Sequence, residues 1–247
     1  LTKTEDDAPN DSVVQRQKAE VAMRLGDLNT AIAAIDRAIE LDEASSLNWE
    51  TRGRVLAKLK RFSEARQAKV KTRAAQLQEL IPARAESTDP RLLDLSQHYN
   101  AALTENPFDT LRNLRGLTET FATMPRGVAT VGGVSFDLRG IVALHGKQTQ
   151  LRPMRAELKE RVEGIQVDQA VKTLQFLHGT GWGYAPHGTI IGKVVVHYQD
   201  GKTAEIPIRT GVHVRDWFLP NQGRRQVSDG QLVWVNPSPE VGYRDVG

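Results

Sequence analysis

The first third of the chain repeats itself with a period of 34 residues. Three pairs of similar residues stand 34 positions apart: Ala19 and Gly53, Leu28 and Phe62, and Ala31 and Ala65. A fixed period of this length is typical of stacked helical hairpins, because each hairpin buries its apolar face against its neighbour. The spacing therefore predicts two helix–turn–helix units, with Trp49 and Gly53 facing the preceding pair of helices.

Local signals support the first turn. Gly26 can end a helix because glycine tolerates a left-handed backbone, and Asp27 can cap the next helix by accepting a backbone N–H bond. Ala31 and Ala38 stand where close helix contact leaves room only for small side chains. The apolar stripe of this helix is predicted to comprise Ile32, Ile35, Ile39 and Leu41. A long polar helix is expected over Phe62–Leu80, as a cap on the array.

This pattern resembles the tetratricopeptide family over about residues 12–81. In the second copy, the residues that match the family's characteristic positions are Trp49, Gly53, Phe62 and Ala65. Glu43 stands where the family usually has proline, and Lys60 stands where a glycine between the helices is usual. Two repeats are fewer than the three that such an array normally needs. The resemblance implies either further repeats upstream or a cap supplied by the next domain.

The composition changes after residue 84, where glycine, proline, β-branched and aromatic residues become frequent. This change indicates a helical domain at 12–81, a polar linker bounded by proline at 82–91, and a mainly β domain at 92–247. Residues 1–11 are acidic and are predicted to be a disordered lead-in. Because the chain opens with Leu1 and no methionine, we expect it to be a piece of a longer protein, cut at both ends.

Alternating apolar residues predict strands in the second region, and Leu111–Phe121 is expected to form a short helix. The expected strands are Val134–Leu144, Arg161–Val167, Thr173–Leu177, Ile190–Tyr198, Thr203–Arg209 and Leu232–Val235. Asp200-Gly201 predicts a hairpin turn in which both residues have positive φ. Short strands with glycine-rich corners favour an antiparallel sandwich. Its buried positions would be Phe136, Ile141, Leu174, Phe176, Val194, Val196 and Ile206.

Six motifs occur in order in this region. They are Leu93-Asp94-Leu95-Ser96-x-x-Tyr99-Asn100, Phe136-Asp137-Leu138-Arg139-Gly140-Ile141, Arg161-Val162-Glu163-Gly164-Ile165, Leu174-x-Phe176-Leu177-His178-Gly179-Thr180-Gly181-Trp182, His197-Tyr198-x-Asp200-Gly201 and Val214-Arg215-Asp216-Trp217-Phe218. Over about residues 92–235 they resemble a little-characterised β-sandwich domain of large multidomain bacterial proteins, which often follows a kinase module or a repeat array. The resemblance implies a galactose-binding-like or similar sandwich and no known activity. Such domains continue past the Trp234 motif, so the last strands are expected to be missing or supplied by other residues.

The chain lacks the usual catalytic signatures. It has no cysteine, which excludes thiol nucleophiles and thiolate zinc sites. Its six histidines form no His-Glu-x-x-His motif, and there is no Gly-x-Ser-x-Gly motif. The glycines near 179–183 and 188–192 are not followed by the helix that would hold a phosphate. We therefore expect no enzyme activity, no cofactor and no metal.

Two acid–base pairs are candidates for a polar binding site. Asp137 with Arg139, and Arg215 with Asp216, each place a carboxylate beside a guanidinium. Each pair is either a structural ion pair or backbone clamp at a strand end, or it contributes to a polar ligand site. In the second case Asp137, Arg139, Arg215 or Asp216 holds the ligand, and Trp182 or Trp217 stacks on a sugar or peptide face. Both interpretations stay open at the level of sequence.

The distribution of charge suggests a second site. The whole chain carries a net charge of only +3, too little to indicate nucleic-acid binding. Residues 1–50 hold five basic and eleven acidic residues, a balance of −6, whereas residues 51–73 hold nine basic residues and only Glu64. The second segment is either a solvated helix face beside an acidic neighbour or a surface that docks an acidic protein. We call this surface the basic docking surface: Lys58, Arg61, Arg66 and Lys69.

The sequence thus predicts an α+β multidomain chain, with tetratricopeptide-like helical hairpins followed by a mainly antiparallel β-sandwich. The expected function is a non-enzymatic protein–protein interaction or scaffolding module of a larger bacterial protein. The alternative is a carbohydrate- or cell-wall-binding sandwich carried on a helical spacer. No apolar stretch approaches the roughly 18 residues that a membrane helix needs. The sequence does not indicate a compartment, although a membrane anchor on the parent would imply the cell envelope.

Overall fold

The structure is a computed structural model that describes residues 10–105, 120–146, 158–181, 185–215 and 227–234. The chain divides into two compact units, residues 1–82 and 83–247. Within the described ranges the first unit contains four α-helices, and the second contains six short strands in antiparallel pairs. The chain is therefore of the mixed α+β class, as its sequence indicates.

Four helices build the first unit: α1 Ser12–Leu25, α2 Leu28–Leu41, α3 Ser46–Lys58 and α4 Phe62–Leu80. α1 packs against α2, and α3 packs against α4, so the unit is a pair of helical hairpins. α2 contacts α3 and thereby joins one hairpin to the other. The long helix expected over Phe62–Leu80 is confirmed at both ends.

The first turn has the geometry that its residues predict. Gly26 has φ +84°, and its backbone N–H bonds to the carbonyl oxygen of Ala22. The side chain of Asp27 accepts a hydrogen bond from the backbone N–H of Thr30 at 3.0 Å and so caps α2. Both expectations are confirmed. The left-handed residue reverses the chain, and the aspartate satisfies a donor that would otherwise be unpaired at the helix start.

The second turn repeats this geometry with a different residue. Lys60, 34 positions after Gly26, has φ +60°. The backbone N–H of Arg61 bonds to the carbonyl oxygen of Leu56 at 2.9 Å, which matches the bond from Asp27 to Ala22 at 3.0 Å in the first turn. The same left-handed turn thus closes both hairpins, although a β-carbon makes this conformation unfavourable for lysine.

Small side chains allow close helix contact in the first unit. Ala19, Ala31 and Ala38 are fully buried, as expected for the last two, and Ile35 is buried in the same unit. Ala19 and Ile35 belong to one cluster of buried residues. Ala31 belongs to another, which also contains Val55 of α3. The core is therefore continuous from the first hairpin into the second.

Gly53 and Trp49 face parts of the second hairpin and the segment before it. A β-carbon at Gly53 would lie 3.6 Å from the β-carbon of Ala68 and 3.8 Å from the carbonyl oxygen of Ala65, both on α4. The expectation that Gly53 faces the preceding pair is therefore wrong, because α4 covers its open side. The indole N–H of Trp49 donates to the carbonyl oxygen of Glu43 at 2.8 Å, between α2 and α3.

The end of α2 is tied to α3 by a buried amide. Asn48 is 1% exposed, and its Nδ2 donates to the carbonyl oxygens of Ala38 and Asp42, each at 3.1 Å. The carbonyl oxygen of Ala38 also accepts the backbone N–H of Asp42 at 3.0 Å, so Asn48 adds a second donor there and a side-chain donor to the carbonyl of Asp42 just after the helix. Asn48 thus fixes how the second hairpin follows the first.

The start of the chain also contacts the first hairpin. Asp11 caps α1 by accepting bonds from the backbone N–H groups of Val13 and Val14, at 2.8 and 3.2 Å. Asn10 accepts a hydrogen bond from Arg37 at 2.9 Å. Residues 1–9 of the expected lead-in lie outside the described residues.

Six strands are described in the second unit: β1 Ala101–Ala102, β2 Gly127–Val131, β3 Val134–Leu138, β4 Gly140–Ile141, β5 Ile190–His197 and β6 Thr203–Arg209. They pair as β1 with β4, β2 with β3, and β5 with β6. The side chain of Asn100 extends the first pair, because its amide bonds to both the carbonyl oxygen and the N–H of Ala143, at 2.7 and 2.8 Å.

The hairpin expected around Asp200-Gly201 is confirmed. β5 and β6 pair in the register that places Val194 opposite Ile206, and the backbone N–H of Tyr198 bonds to Lys202 across the turn. The expected backbone of the turn is wrong, however. Gly201 has φ +81°, whereas Asp200 is not among the described residues with positive φ. The loop spans more than two residues, so one left-handed position is enough to reverse the chain.

Several expected strands are not found. Residues 161–167, 173–177 and 232–234 form no strand, and the strand expected over 134–144 is divided into β3 and β4. Val235, and residues 111–119 of the expected helix, lie outside the described residues. A strand requires a neighbouring strand for its backbone hydrogen bonds, so an alternating sequence alone does not produce a strand.

None of the seven positions expected to be buried in a sandwich core is buried. Phe176 is 48% exposed and Ile206 is 43% exposed, and the other five are partly exposed. Alternate residues of a strand become buried only when a second layer covers that face of the sheet. The described strands form three separate two-stranded sheets, which do not provide that layer for these positions.

Candidate functional site

The four residues of the basic docking surface follow one another along the second hairpin. Lys58 is the last residue of α3, Arg61 precedes α4, and Arg66 and Lys69 lie within α4. All four are exposed. The turn at Lys60 brings Lys58 and Arg61 to one end of the hairpin, and Arg66 and Lys69 follow within about the first two turns of α4.

Much of the surrounding positive charge is neutralised inside the first unit. Arg52 on α3 lies 2.7 Å from the carboxylate of Asp36 on α2, and Arg54 lies 3.1 Å from the carboxylate of Glu20 on α1. Lys71 on α4 lies 3.7 Å from Glu43. The first two pairs join the acidic first hairpin to the basic second one, and the third joins α4 to the segment between α2 and α3. For these residues, the interpretation as a helix face beside an acidic neighbour is the one that the contacts support.

The basic docking surface itself is only partly neutralised. Arg61 makes two hydrogen bonds to Glu64, at 2.7 and 2.6 Å, and this bonding lowers the pKa of the glutamate. Among the residues that the structure describes, no hydrogen bond or ion pair involves the side chains of Lys58, Arg66 or Lys69. These three cations are available to an external partner, whereas Arg61 shares its charge with Glu64.

Lys60 is a fifth cation that the sequence analysis left out of this surface. It is exposed, and within the described part of the chain its ammonium group has no ion-pair partner. It also holds the left-handed backbone that Gly26 holds in the first turn. The sequence could have indicated this residue, because Lys60 stands 34 positions after Gly26, where the repeat has glycine.

Asp137 and Arg139 are brought together at the junction of β3 and β4. Nε of Arg139 lies 3.0 Å from each carboxylate oxygen of Asp137, and both side chains are 3% exposed. Arg84 adds a second guanidinium, 3.1 Å from the same carboxylate. The pair is therefore a buried ion pair, as the structural interpretation predicted for such a motif.

The remaining groups around Arg139 complete a closed network. Its Nη2 donates to the carboxylate of Asp94 at 2.8 Å and to the hydroxyl of Ser96 at 2.7 Å. Its guanidinium carbon lies 5.6 Å from the ring centre of Tyr99. Arg84 also donates to the carbonyl oxygen of Leu92 at 2.6 Å. Because these polar groups already bond one another, they join the segment 84–99 to β3 and β4.

Two pKa values in this network follow from its geometry. Partial burial raises the pKa of Asp94, but hydrogen bonds from Ser96 and Arg139 outweigh it, and the net pKa lies below the usual value of 3.8. Burial raises the pKa of Tyr99. At neutral pH the network therefore contains an ionised Asp94 and a neutral phenol.

The predicted ligand site also includes Arg215, Asp216 and Trp182. Arg215 is partly buried just after the turn between Thr210 and Val214. Trp182 and Asp216 lie outside the described residues. The stacking of Trp182 on a ligand therefore stays a prediction.

The described residues contain neither a cluster of metal ligands nor a membrane-spanning helix. No group of three or more histidine, aspartate or glutamate residues there is arranged to hold a metal ion. None of the described helices is both long enough and apolar enough to cross a membrane. A comparison of the sequence with models of protein families gives no match, and a comparison with curated protein sequences gives none either.

Proposed function

We propose that this chain is a non-enzymatic docking module of a larger bacterial protein, and that its first unit binds an acidic protein through the basic docking surface together with Lys60. The observation that carries the proposal is the position of Lys60. A left-handed backbone costs a residue with a β-carbon roughly 1 kcal/mol, and such strain concentrates at functional positions. Lys60 has this backbone in a segment, residues 58–69, that holds three other cations that no described group neutralises.

The proposal includes the finer architecture. The repeated turn, the buried alanines and the 34-residue period support two tetratricopeptide-like repeats over residues 12–81. The proposal keeps a β-sandwich domain over 92–247, linked to the helices by residues 82–91. The antiparallel pairs β2–β3 and β5–β6 are compatible with it, whereas the exposure of its expected core positions is not in its favour. Such a combination suits a scaffold, because each part presents a stable surface without needing a catalytic centre.

The charge pattern favours an acidic partner. Arg52 and Arg54 already pair with acids of the first hairpin, and Lys71 pairs with Glu43 between the hairpins, so their charge is less available to a further molecule. Lys58, Arg66 and Lys69 keep theirs. Exposed charges are screened over about 8 Å at physiological ionic strength, and docking should therefore weaken steeply as salt is added. Reversing these charges should slow association more than it speeds dissociation.

The test compares three versions of the full chain, each immobilised and exposed to a bacterial extract. The test variant carries Lys58→Glu, Arg66→Glu and Lys69→Glu. The control carries the same charge change at exposed positions of the second unit, as Arg126→Glu, Lys159→Glu and Lys172→Glu. We expect a set of proteins with acidic segments to be retained by the wild type and by the control, and lost from the test variant. Equal retention by all three would refute the proposal.

The carbohydrate-binding alternative has no described contact in its favour. Asp137 and Arg139 already bond each other, and the aromatic residue that would stack on a sugar, Trp182, lies outside the described residues. Carbohydrate binding therefore stays a prediction, and a glycan array with the full chain tests it directly.

A further inference from the structure

The outward face of α4 carries apolar residues among its cations. Phe62 is 66% exposed, Val70 is 58% exposed and Leu80 is 44% exposed. Residues three, four or seven positions apart share one face of a helix, so Phe62, Arg66 and Lys69 lie in a row, with Val70 beside them. The opposite face, with Ala68 and Ala75, is buried. We call the row Phe62, Arg66, Lys69, Val70 the outward stripe of α4.

Both acidic residues of α4 bond to groups within the second hairpin. Glu64 accepts two hydrogen bonds from Arg61. Glu79 accepts hydrogen bonds from the backbone N–H and the hydroxyl of Ser46, at 3.0 and 3.1 Å, and so holds the start of α3. The outward stripe consequently offers apolar surface and positive charge with no carboxylate of its own.

We infer that the outward stripe docks an acidic amphipathic helix of a partner protein. Its apolar side chains would cover Phe62 and Val70, and its carboxylates would meet Arg66 and Lys69. The 19 residues of α4 span about 28 Å, which is long enough for a partner helix of about five turns. The inference rests on the proposed function and names the class of partner that this surface takes.

The same features disfavour two other occupants. A second copy of the chain, packed α4 against α4, would oppose Arg66 and Lys69 to identical cations. A helix that lies on a membrane usually separates a wide apolar face from its cations. In α4, Arg66 falls between Phe62 and Val70, and the face opposite them is already occupied by packing.

The test measures binding of labelled peptides to the full chain by fluorescence anisotropy. One peptide of about 18 residues has leucine at helical spacing and glutamate elsewhere, and a second has the same composition in an order that destroys the apolar stripe. We expect the first to bind at least about tenfold more tightly. Phe62→Ser with Val70→Ser should remove this preference. The matched control, Val128→Ser with Ile190→Ser, changes equally exposed residues of the second unit and should keep it.

Circular dichroism of each variant checks that the helices remain, so that a loss of binding is not a loss of folding. If both acidic peptides bind equally and Arg66→Glu with Lys69→Glu removes both, the partner is acidic but not an amphipathic helix. That result would overturn this inference and leave the proposed function standing. Failure of both peptides to bind would also overturn it, whether or not phosphatidylserine vesicles bind in their place.

Discussion

Lys60 holds a backbone conformation that a lysine adopts only under strain. Its φ of +60° places the β-carbon close to the following carbonyl group, whereas glycine has no such contact. We expect Lys60→Gly to raise the free energy of unfolding by about 1 kcal/mol, because the strain is removed while the turn is kept. Urea denaturation at neutral pH measures the change.

Two controls accompany Lys60→Gly. Gly26→Val introduces a β-carbon at the equivalent left-handed position and should lower the free energy of unfolding by roughly 1 kcal/mol or more. Lys58→Gly places glycine at the last residue of a helix and should not stabilise the chain. An unchanged or lowered stability in Lys60→Gly would show that the turn carries no strain.

Asp94 makes the stability of the second unit depend on pH. Its pKa in the folded chain is lowered, because hydrogen bonds from Ser96 and Arg139 outweigh the effect of partial burial. A lowered folded pKa means that the stabilisation is present above the usual value of 3.8 and is lost as the pH falls through the folded value. Asp94→Asn should thus be less stable than the wild type at pH 7, and the difference should shrink towards pH 3.

Urea denaturation of both proteins at several pH values tests this expectation. Asp200→Asn serves as a comparison, since Asp200 also has a lowered pKa but bonds to Lys202 in an exposed turn. A difference between wild type and Asp94→Asn that stays constant down to pH 3 would mean that the carboxylate is not linked to folding.

At the level of elements, Asn48 holds α2 and α3 together. Removing its amide breaks a buried hydrogen bond to the carbonyl oxygen of Ala38 and a partly buried one to the carbonyl oxygen of Asp42. We expect Asn48→Ala to lower the free energy of unfolding by about 1–3 kcal/mol. The control is Asn29→Ala, because Asn29 is exposed on α2. Similar midpoints of thermal unfolding for the two variants would contradict the role of Asn48.

The helices could be predicted from sequence because their signals are local. Gly26 and Asp27 define a helix end and a helix start within two residues, and Phe62–Leu80 follows from an uninterrupted helical composition. The hairpin of β5 and β6 could also be predicted, because its two strands are adjacent in sequence. Most of the other expected strands could not, since a strand needs a hydrogen-bonded partner and a covering layer, and these come from distant parts of the chain. The apolar alternation at Leu174–Phe176 is real, yet no described strand pairs with it.

The difference between local signals and contacts of distant residues also explains how much of the candidate site could be predicted. The basic run between 51 and 73 is visible in the sequence, but its neutralisation depends on partners far away in the chain. Glu20, for example, stands 34 positions before Arg54. The buried state of Asp137 and Arg139 likewise depends on Arg84, 53 positions before the aspartate. Sequence therefore locates the charges, and only the packing of elements shows which of them remain free.

For the molecule as a whole, opposite charges connect the two hairpins of the first unit. Arg52→Asp would place a like charge opposite Asp36, and we expect it to lower the free energy of unfolding by roughly 1 kcal/mol at low salt. Combining Arg52→Asp with Asp36→Arg should recover most of the lost stability, because the two charges are again opposite. The same comparison in about 1 M salt should show smaller differences, since screening then acts over about 3 Å. A double variant no more stable than the single one would refute the pairing.

The two equivalent turns also give this chain an internal standard. Exchanging their residues, as Gly26→Lys with Lys60→Gly, yields an isomer of identical composition, length and net charge. Its unfolded ensemble is nearly that of the original, so a difference in stability between the isomers reports the folded state alone. The exchange moves the strained lysine from the second hairpin to the first. If the isomer is as stable as the original but binds the acidic partner more weakly, then the lysine at position 60 contributes its ammonium group to binding and not its backbone conformation to stability.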